Sequence, residues 1–534
     1  MLSLEQEGLP AHIVAYHRRT KHQPTRYALG PAFLDWQSQP CPYRRFEGAR
    51  LVELPLRDRE PTAPFPGPAS AVAPISARSL GLFFELAFGL SAWKSYEGSL
   101  WALRNNPSSG NLHPTEAYAL LNAGDLGASA ALFHYAPVEH ALEERATFEA
   151  AQVLPAGGFL LGLSAVHWRE SWKYGERAFR YCQLDAGHAI GAAAQAAAAL
   201  GWRAQVLPEP GDDEVAVLLG LDRDDAWRRR EEEHPDALLW IGAGPVPSID
   251  VLALAQAPRR WQGAANRLSE DHDAWPAVDR AARLCHKPRG PAPAQGAERA
   301  PRAVRTAPEI GEVVRRRRSA QRMDGVAVLP REAFAAMLRA TLPGVPPLLA
   351  SFPWPARLTL LLFVHRVDGL DPGLYLLQRD AEAARRLAAS SATDFAWAPV
   401  GLEDLDLFLL REGPCEREAA KFSCLQPIAG KGCFAVAMLA DFDRALAEDG
   451  AFAYRRLHWE AGLTGQALYL EATAAGLSGT GIGCFFDDEV HALMGLAADQ
   501  TQFQDVYHFT VGASVEDVRL ISLPAYSDER RTRP

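Results

Sequence analysis

Phe179-Arg180-Tyr181-Cys182-Gln183-Leu184-Asp185-Ala186-Gly187 returns, 275 residues on (454 − 179), as Tyr454-Arg455-Arg456-Leu457-His458-Trp459-Glu460-Ala461-Gly462. The same offset takes Gly201 to Gly476 and Asp212-Asp213-Glu214-Val215 to Asp487-Asp488-Glu489-Val490. It also takes Leu218, Gly220 and Leu221 to Leu493, Gly495 and Leu496. One gap-free offset through all these matches marks a duplicated domain of roughly 250 residues, too long a period for a solenoid. Two related domains in one chain predict a pseudo-symmetric pair, the covalent form of a two-fold homodimer. Each half is then free to lose what the other supplies.

The 534 residues suffice for two domains with separate cores. The apolar fraction of 48% and the charged fraction of 22% are those of an ordinary globular chain. A net charge of −10 gives no electrostatic reason to expect nucleic acid or an anionic membrane as a partner. The seven cysteines occur singly, with no CxxC pair, which speaks against a disulfide framework or a zinc site and for a reducing cytosol. The opening Met1-Leu2-Ser3-Leu4-Glu5 lacks the basic and apolar regions of a signal peptide. The best apolar run, Leu358–Val364, falls far short of the roughly 20 residues that cross a bilayer. The expectation is a cytoplasmic chain with no membrane, nucleic-acid or metal partner.

Residues 1–70 are irregular and rich in His, Arg and Pro, and read as an N-terminal extension wrapping a first domain at 71–284. A Pro/Ala-rich segment at 285–308 reads as a semi-extended linker, and a second domain follows at 309–534. Apolar spacing predicts helices over 80–90, 184–200, 310–318, 331–342 and 454–475. Short buried strands are predicted at 117–121, 132–136, 238–242, 358–364, 373–377 and 507–511. The fold class is α+β: two tandem domains, each a mixed sheet packed with helices, joined as an intrachain pseudo-dimer.

Three segments carry chemistry. In Arg104-Asn105-Asn106-Pro107-Ser108-Ser109-Gly110-Asn111-Leu112-His113, a turn offers backbone N–H groups, hydroxyls and an amide, the set that holds a flat polar heterocycle by its edge. Arg315-Arg316-Arg317-Arg318-Ser319-Ala320-Gln321-Arg322 sets guanidinium groups beside a hydroxyl, as a phosphate clamp requires, or is simply a solvated basic helix end. Gly476-Leu477-Ser478-Gly479-Thr480-Gly481-Ile482-Gly483-Cys484 follows a predicted helix and not a strand, so it is not a dinucleotide fingerprint. Its glycines let backbone approach a planar ligand closely, and Gly476 suits a helix C-terminus.

Together these segments resemble the FMN-dependent nitroreductase superfamily, and within it the SagB-type (thiazoline/oxazoline) dehydrogenases. The resemblance implies that two subunits share each flavin. One contributes an Arg-Arg-Ser segment and a glycine-rich strand, and the other a Pro-Ser-x-x-Asn loop. Carried onto this chain, it implies Arg317, Arg318, Ser319 and Gln321 at the FMN phosphate, with Arg519 as a further phosphate ligand. Pro107, Ser108, Ser109 and Asn111 would hold the ring from the first domain, with Gly479, Thr480, Gly481 and Gly483 beside its edge. The spacing departs from Arg-Arg-Ser-x-Arg, because Arg322 is displaced by one residue.

The complementary set looks degraded. Ser351-Phe352-Pro353-Trp354-Pro355-Ala356-Arg357 stands where the second domain would carry its own loop. The first domain offers only Ala77-Arg78-Ser79, and Gly201 is followed by Trp202-Arg203-Ala204 without a glycine run. One composite FMN site per chain is expected. Trp172-Lys173-Tyr174-Gly175-Glu176-Arg177-Ala178-Phe179-Arg180 is similar to the Lys-Tyr-Gly-x-Arg-Ala-Tyr-Arg signature of the SagB-type enzymes. This implies Lys173 and Tyr174 as acid/base groups, against the plain alternative of a cation packed on an aromatic ring. The second copy has Asp449-Gly450-Ala451 there. His113 and His188 read as packed histidines, Cys484 as a small buried residue, and the acid pairs at 212–213 and 487–488 as helix N-terminal carboxylates.

The favoured function is a dehydrogenase acting on a peptide azoline or similar small substrate. NAD(P)H-driven reduction of nitro compounds or quinones is the alternative, and a non-catalytic flavin-binding or scaffold subunit of a biosynthetic complex is the third. Nothing in the first seventy residues reads as a peptide-binding winged helix, so a peptide substrate implies another biosynthetic protein as partner. Further oligomerisation stays open.

Overall fold

The computed structural model describes residues 8–57, 61–223, 227, 231–293, 298–299, 307–402 and 404–526. Of the expected linker at 285–308, residues 294–297 and 300–306 lie outside the described residues. Each half builds one main sheet, and five consecutive strands of each, ending at one edge, follow the same spatial order. In the first half these are Ala131–Ala136, Thr115–Leu121, Gly158–Ala165, His234–Gly242 and Arg203–Val206. In the second they are Gly373–Leu377, Leu358–Val364, Phe434–Asp441, Phe503–Gly512 and Ser478–Ile482. All named strand pairings are antiparallel. The parallel component of the expected mixed sheet is confined to isolated bridges, of which Ser319–Gly479 adjoins the edge of the second sheet. Strands Leu358–Val364 and Phe434–Asp441 are buried along their whole length, which explains their unbroken apolar sequences: both faces are covered.

The opening repeat lies on the two central helices, Ala178–Ala198 and Ala453–Ala474. Every residue of the first is buried, and from Ala186 to Ala198 all but His188 and Gln195 are small or apolar, as a helix covered on every side requires. The helices cross at Gly187 and Gly462, which the offset of 275 already pairs. A Cβ on Gly187 would lie 2.3 Å from Trp459 O, and one on Gly462 2.1 Å from Leu184 O. The pseudo-two-fold axis therefore passes through this crossing.

The acid pairs carry the same symmetry. They do not cap their helices: Gly211 and Phe486 occupy the cap positions, and Asp212 and Asp487 are the first helical residues. Asp487 instead takes Arg177 and Arg180 of the first half, and Asp212 takes Arg455 of the second. Buried charge is tolerated at the interface because each carboxylate is paired across it.

The N-terminal stretch is not confined to wrapping the first domain. Helix Leu9–Arg19 lies on the second, where His17 meets the Phe442 ring at 5.0 Å. His22 N–H donates to Asp487 and Lys21 pairs with Asp488. Helix Pro276–Leu284 repeats this in the first half: Lys287 N–H donates to Asp212 and His286 pairs with Asp213. The duplication thus extends to the opening helices, at an offset of 265 (286 − 21). Strand Arg50–Glu53 belongs to the first sheet, pairing with Ala141–Phe148. At the other end, Ile521–Leu523 crosses back to pair with Leu90–Tyr96, which pairs with Ser99–Arg104.

Candidate functional site

Strand Ser99–Arg104 runs into the turn at 105–114, and this turn faces the second domain across a cavity of about 560 Å³. From the first domain, Pro107, Ser108, Ser109, Asn111 and Tyr174 line it; from the second, Arg317, Arg318, Ser319, Gln321, Thr480, Gly481 and Gly483 do. The Arg317–Ser319 segment leaves helix Ile310–Arg316 just before the parallel bridge to Gly479. The glycine run is the edge strand Ser478–Ile482, held by Phe503–Gly512. A Cβ on Gly483 would lie 2.1 Å from the Tyr181 ring, so glycine is what lets the two domains close here.

Three expected residues stand outside these walls. Gly479 lies behind them: its Cβ would meet the Phe509 ring at 2.7 Å. Arg519 is two-thirds exposed, and its guanidinium turns back on Asp517 because that carboxylate is two residues away. Lys173 ends helix His167–Tyr174 with its amine beneath Gly110, 3.1 Å from where a Cβ on that glycine would stand, and 5.3 Å from the Tyr174 ring centre. Asn111 lines the cavity, but its amide is engaged by the protein itself, donating to Ala102 O of the strand Ser99–Arg104 and meeting His113 Nε2 within the turn. Its part is to shape the loop.

The cavity wall carries charge of both signs. Arg104, Arg317 and Arg318 have no carboxylate within salt-bridge distance among the described residues. Arg317 donates to the Asn105 and Arg104 carbonyls, and its remaining terminal nitrogen is buried without a partner among the described residues. Desolvation and the neighbouring Arg317 charge pull Arg318 down to about 10. Asp185 also lines it, fully buried, accepting from Ser109 N–H at 3.1 Å and Ser109 Oγ–H at 3.0 Å. Burial pushes its carboxyl up to about 7, against these hydrogen bonds. Beneath it Glu170, also buried, has neither carboxyl oxygen hydrogen-bonded among the described residues, and burial with the nearby Asp185 holds its pKa well above the carboxylate range. His188 meets Tyr507 OH at 3.0 Å and is kept neutral, its pKa lowered to about 3 by desolvation. Cys484 lies in the wall with its pKa lowered by hydrogen bonds from Cys424 and His22.

Sequence reasoning noted Asp185 only as a repeat position. Its counterpart shows what was missed: Glu460 accepts from Arg357 N–H in the matching loop but is also paired with Arg379. Asp185 keeps the loop-anchoring bond and lacks the arginine.

At the pseudo-symmetric position the space is filled. Phe352, Trp354, Phe452 and Trp459 pack ring on ring, with centroids 5.1–6.1 Å apart. Strand Arg203–Val206 touches the turn Leu349–Ser351 directly, Gln205 donating to Ser351 O at 3.3 Å. The expected first-domain counterpart of the arginine segment is spent differently: Ser79 closes the capping box of helix Ala77–Phe88 with Ser76. No helix among the described residues is long and apolar enough to cross a membrane, and no group of His, Cys, Asp and Glu among them could hold a metal ion.

The model of the Nitroreductase family matches residues 97–228 and 314–513. A candidate nitroreductase from Anabaena variabilis is similar over 94% of this chain and 99% of its own, at 22% identity and a TM-score of 0.67. A candidate nitroreductase from Ralstonia eutropha matches 41% of this chain and 98% of its own, at 20% identity and a TM-score of 0.27. A chain of the microcin synthetase McbBCD complex from E. coli matches 46% of this chain and 99% of its own, at 19% identity and a TM-score of 0.26. The first likeness shows the fold across both halves, and the other two add nothing to it. No curated protein matches the chain significantly.

Proposed function

Because the chain belongs to the nitroreductase family, with two such domains in tandem, we propose that it is an FMN-dependent oxidoreductase working at one composite cavity between them. One observation carries this: the cavity joins the Pro107–Asn111 turn of one half to the Arg317–Ser319 segment of the other, while aromatic rings fill the matching space. The walls fit the cofactor. Unneutralised Arg317 and Arg318, one with a free buried nitrogen, are the donor set of a phosphate site. The volume lies in the range of small-molecule sites, roughly 300–1,000 Å³.

When bound, FMN supplies two-electron chemistry as hydride exchange at its ring. The protein's own part is position and protons. Arg317 and Arg318 would hold the phosphate, and Ser108 and the strand Ser478–Ile482 would face the ring. Asp185, titrating near neutrality, can hold or release a proton at a carboxyl oxygen, and the Tyr174 phenol, kept protonated by burial, can donate one. These groups suit a SagB-type dehydrogenase that removes a proton from an azoline-like substrate as hydride departs. The position of Lys173 outside the walls favours the second reading, reduction of nitro compounds or quinones by NAD(P)H, which needs only an accessible ring.

Flavin released from FMN-saturated protein and counted per chain tests the first claim. One per chain is expected; two would overturn the single site, and none the flavin reading. Flavin-loaded Lys173→Ala and Asp185→Asn then divide the chemistries. A dehydrogenase loses roughly 10²–10⁴-fold in kcat with either acid/base group; a reductase keeps its rate.

A further inference from the structure

A second cavity, of about 520 Å³, lies under helix Pro276–Leu284 and shares no wall residue with the first. The pseudo-symmetry shows what is special about it. In the second half the matching space is plugged by His17 of helix Leu9–Arg19, whose ring reaches Tyr454 OH at 3.3 Å and Gln504 Oε1 at 3.0 Å. The offset of 265 that relates the opening helices puts Ala282 in the place of His17, and Ala282 lines the cavity. An imidazole has given way to a methyl group, and the space it occupied in one half stands open in the other.

Two side chains at this space keep acceptor atoms without partners. His167, 6% exposed, has neither ring nitrogen hydrogen-bonded, and Asp236, 4% exposed, has one free carboxyl oxygen among the described residues. His167 stacks on His234 with centroids 4.2 Å apart, and desolvation holds it neutral, so one of its nitrogens is an acceptor. Leaving buried acceptors unpaired costs about 1–3 kcal/mol each, which a donor-bearing guest would recover. Six carboxylates line the cavity (Asp212, Asp213, Glu232, Asp236, Asp273 and Asp279) against two arginines, one of which, Arg455, is already shared between Asp212 and Oδ1 of Asp236, so that only Oδ2 of Asp236 is free. Aromatic surface is at hand from Trp168 and Trp275. A divalent metal is not the guest, since no three ligating groups converge among the described residues. We propose that this cavity binds a small organic cation, an ammonium or guanidinium group on an aromatic or alkyl stem, with Asp236 and His167 accepting from its N–H groups.

Calorimetry on the full chain, with benzylamine as probe and benzyl alcohol as its uncharged twin, tests this. Benzylamine is expected to saturate one site per chain while the alcohol gives no heat. Asp236→Asn, close in shape, should weaken the amine about tenfold or more, the loss expected when a charged acceptor is removed. Ala282→His, which copies into the first half the side chain of the second, should abolish binding with little change in melting temperature. Equal binding of the two compounds, no binding of the amine, or binding that survives Ala282→His each overturns the proposal. If Ala282→His melts early, an undiminished affinity in Asp236→Asn overturns it alone.

Discussion

Asp185 and Glu460 hold the same place in the repeat and do the same structural task, accepting a loop N–H, yet only Glu460 has an arginine. A carboxyl buried without a cation favours its protonated form, and this couples Asp185 to pH. Its pKa rises from 3.8 unfolded to about 7 folded. Its contribution to stability is therefore complete below the unfolded value and is lost as pH rises through the folded one. Asp185→Asn removes this dependence. Between about pH 5 and pH 8 the variant should gain about 2–3 kcal/mol relative to the parent, at 1.36 kcal/mol per unit of pKa difference. Parallel denaturation curves at the two pH values measure the gap; one that stays constant would show that Asp185 does not titrate in this window. His134 follows the same sign with the opposite charge state: desolvation opposes its charged form, but hydrogen bonds donated to Glu116 and Glu143 lift it to about 9. Its stabilisation is complete below about pH 6.5 and fades as pH rises through about 9. His134→Gln should accordingly cost most in mildly acidic buffer and least near pH 10, read from the same kind of curves.

At the scale of elements, the molecule depends on two helices that touch backbone to backbone. A side chain at Gly462 would strike Leu184 O, a carbonyl within a helix that cannot rotate away. Gly462→Val is expected to destabilise the chain by more than the roughly 1–3 kcal/mol of ordinary overpacking, since the interface itself must open. The carboxylates beside the crossing differ in load: Asp487 neutralises two buried arginines and Asp212 one. Asp487→Asn should cost about 3–5 kcal/mol, the penalty for stranding buried charge, and more than Asp212→Asn; urea midpoints of the two variants rank them. These central helices were legible because a strict repeat survives in both and a stretch rich in alanine and glycine in the first. The edge strand Ser478–Ile482 was implied by the family resemblance alone and not by its residues: three glycines fall within or beside it, and only pairing with Phe503–Gly512 makes it a strand. The opening helices escaped because their offset differs by ten residues and their matched side chains, such as His17 and Ala282, have diverged. Of the site, residue types and their division between halves were readable. The retirement of Arg519 onto Asp517 and the unpaired state of Asp185 depend on neighbours that no spacing specifies.

At the scale of the whole molecule, duplication has produced a pair whose halves have parted ways twice, in opposite directions. Between the domains the second half's loop filled with aromatic rings while the first half's stayed open. Under the opening helices it is the first half that stayed open and the second that filled. Neither half could stand for the other, because each open space draws on residues from across the axis. The C-terminal segment adds a third asymmetry. Beyond Gly512 the chain leaves its own sheet, lines the first cavity at Ser514 to Asp517, and docks Ile521–Leu523 on the first domain's Leu90–Tyr96. Tyr526 fastens it, accepting from Leu90 N–H and donating to Pro137 O, both at 2.8 Å. Leu90–Tyr96 pairs in turn with Ser99–Arg104, the strand that delivers the Pro107–Asn111 turn to the cavity. The tail thus braces the cavity wall from outside without belonging to either core. Ending the chain after Ala513 should leave both main sheets folded, lowering the melting temperature by only a few degrees, the shift that about 1 kcal/mol produces in domains of this size. The same truncation should weaken FMN about tenfold or more, because wall residues are lost and the first-domain turn loses its brace. Flavin fluorescence titration beside a thermal melt separates the two effects. A truncated chain that melts early and still binds FMN as the full chain does would make the segment a clamp on the fold and no part of the site.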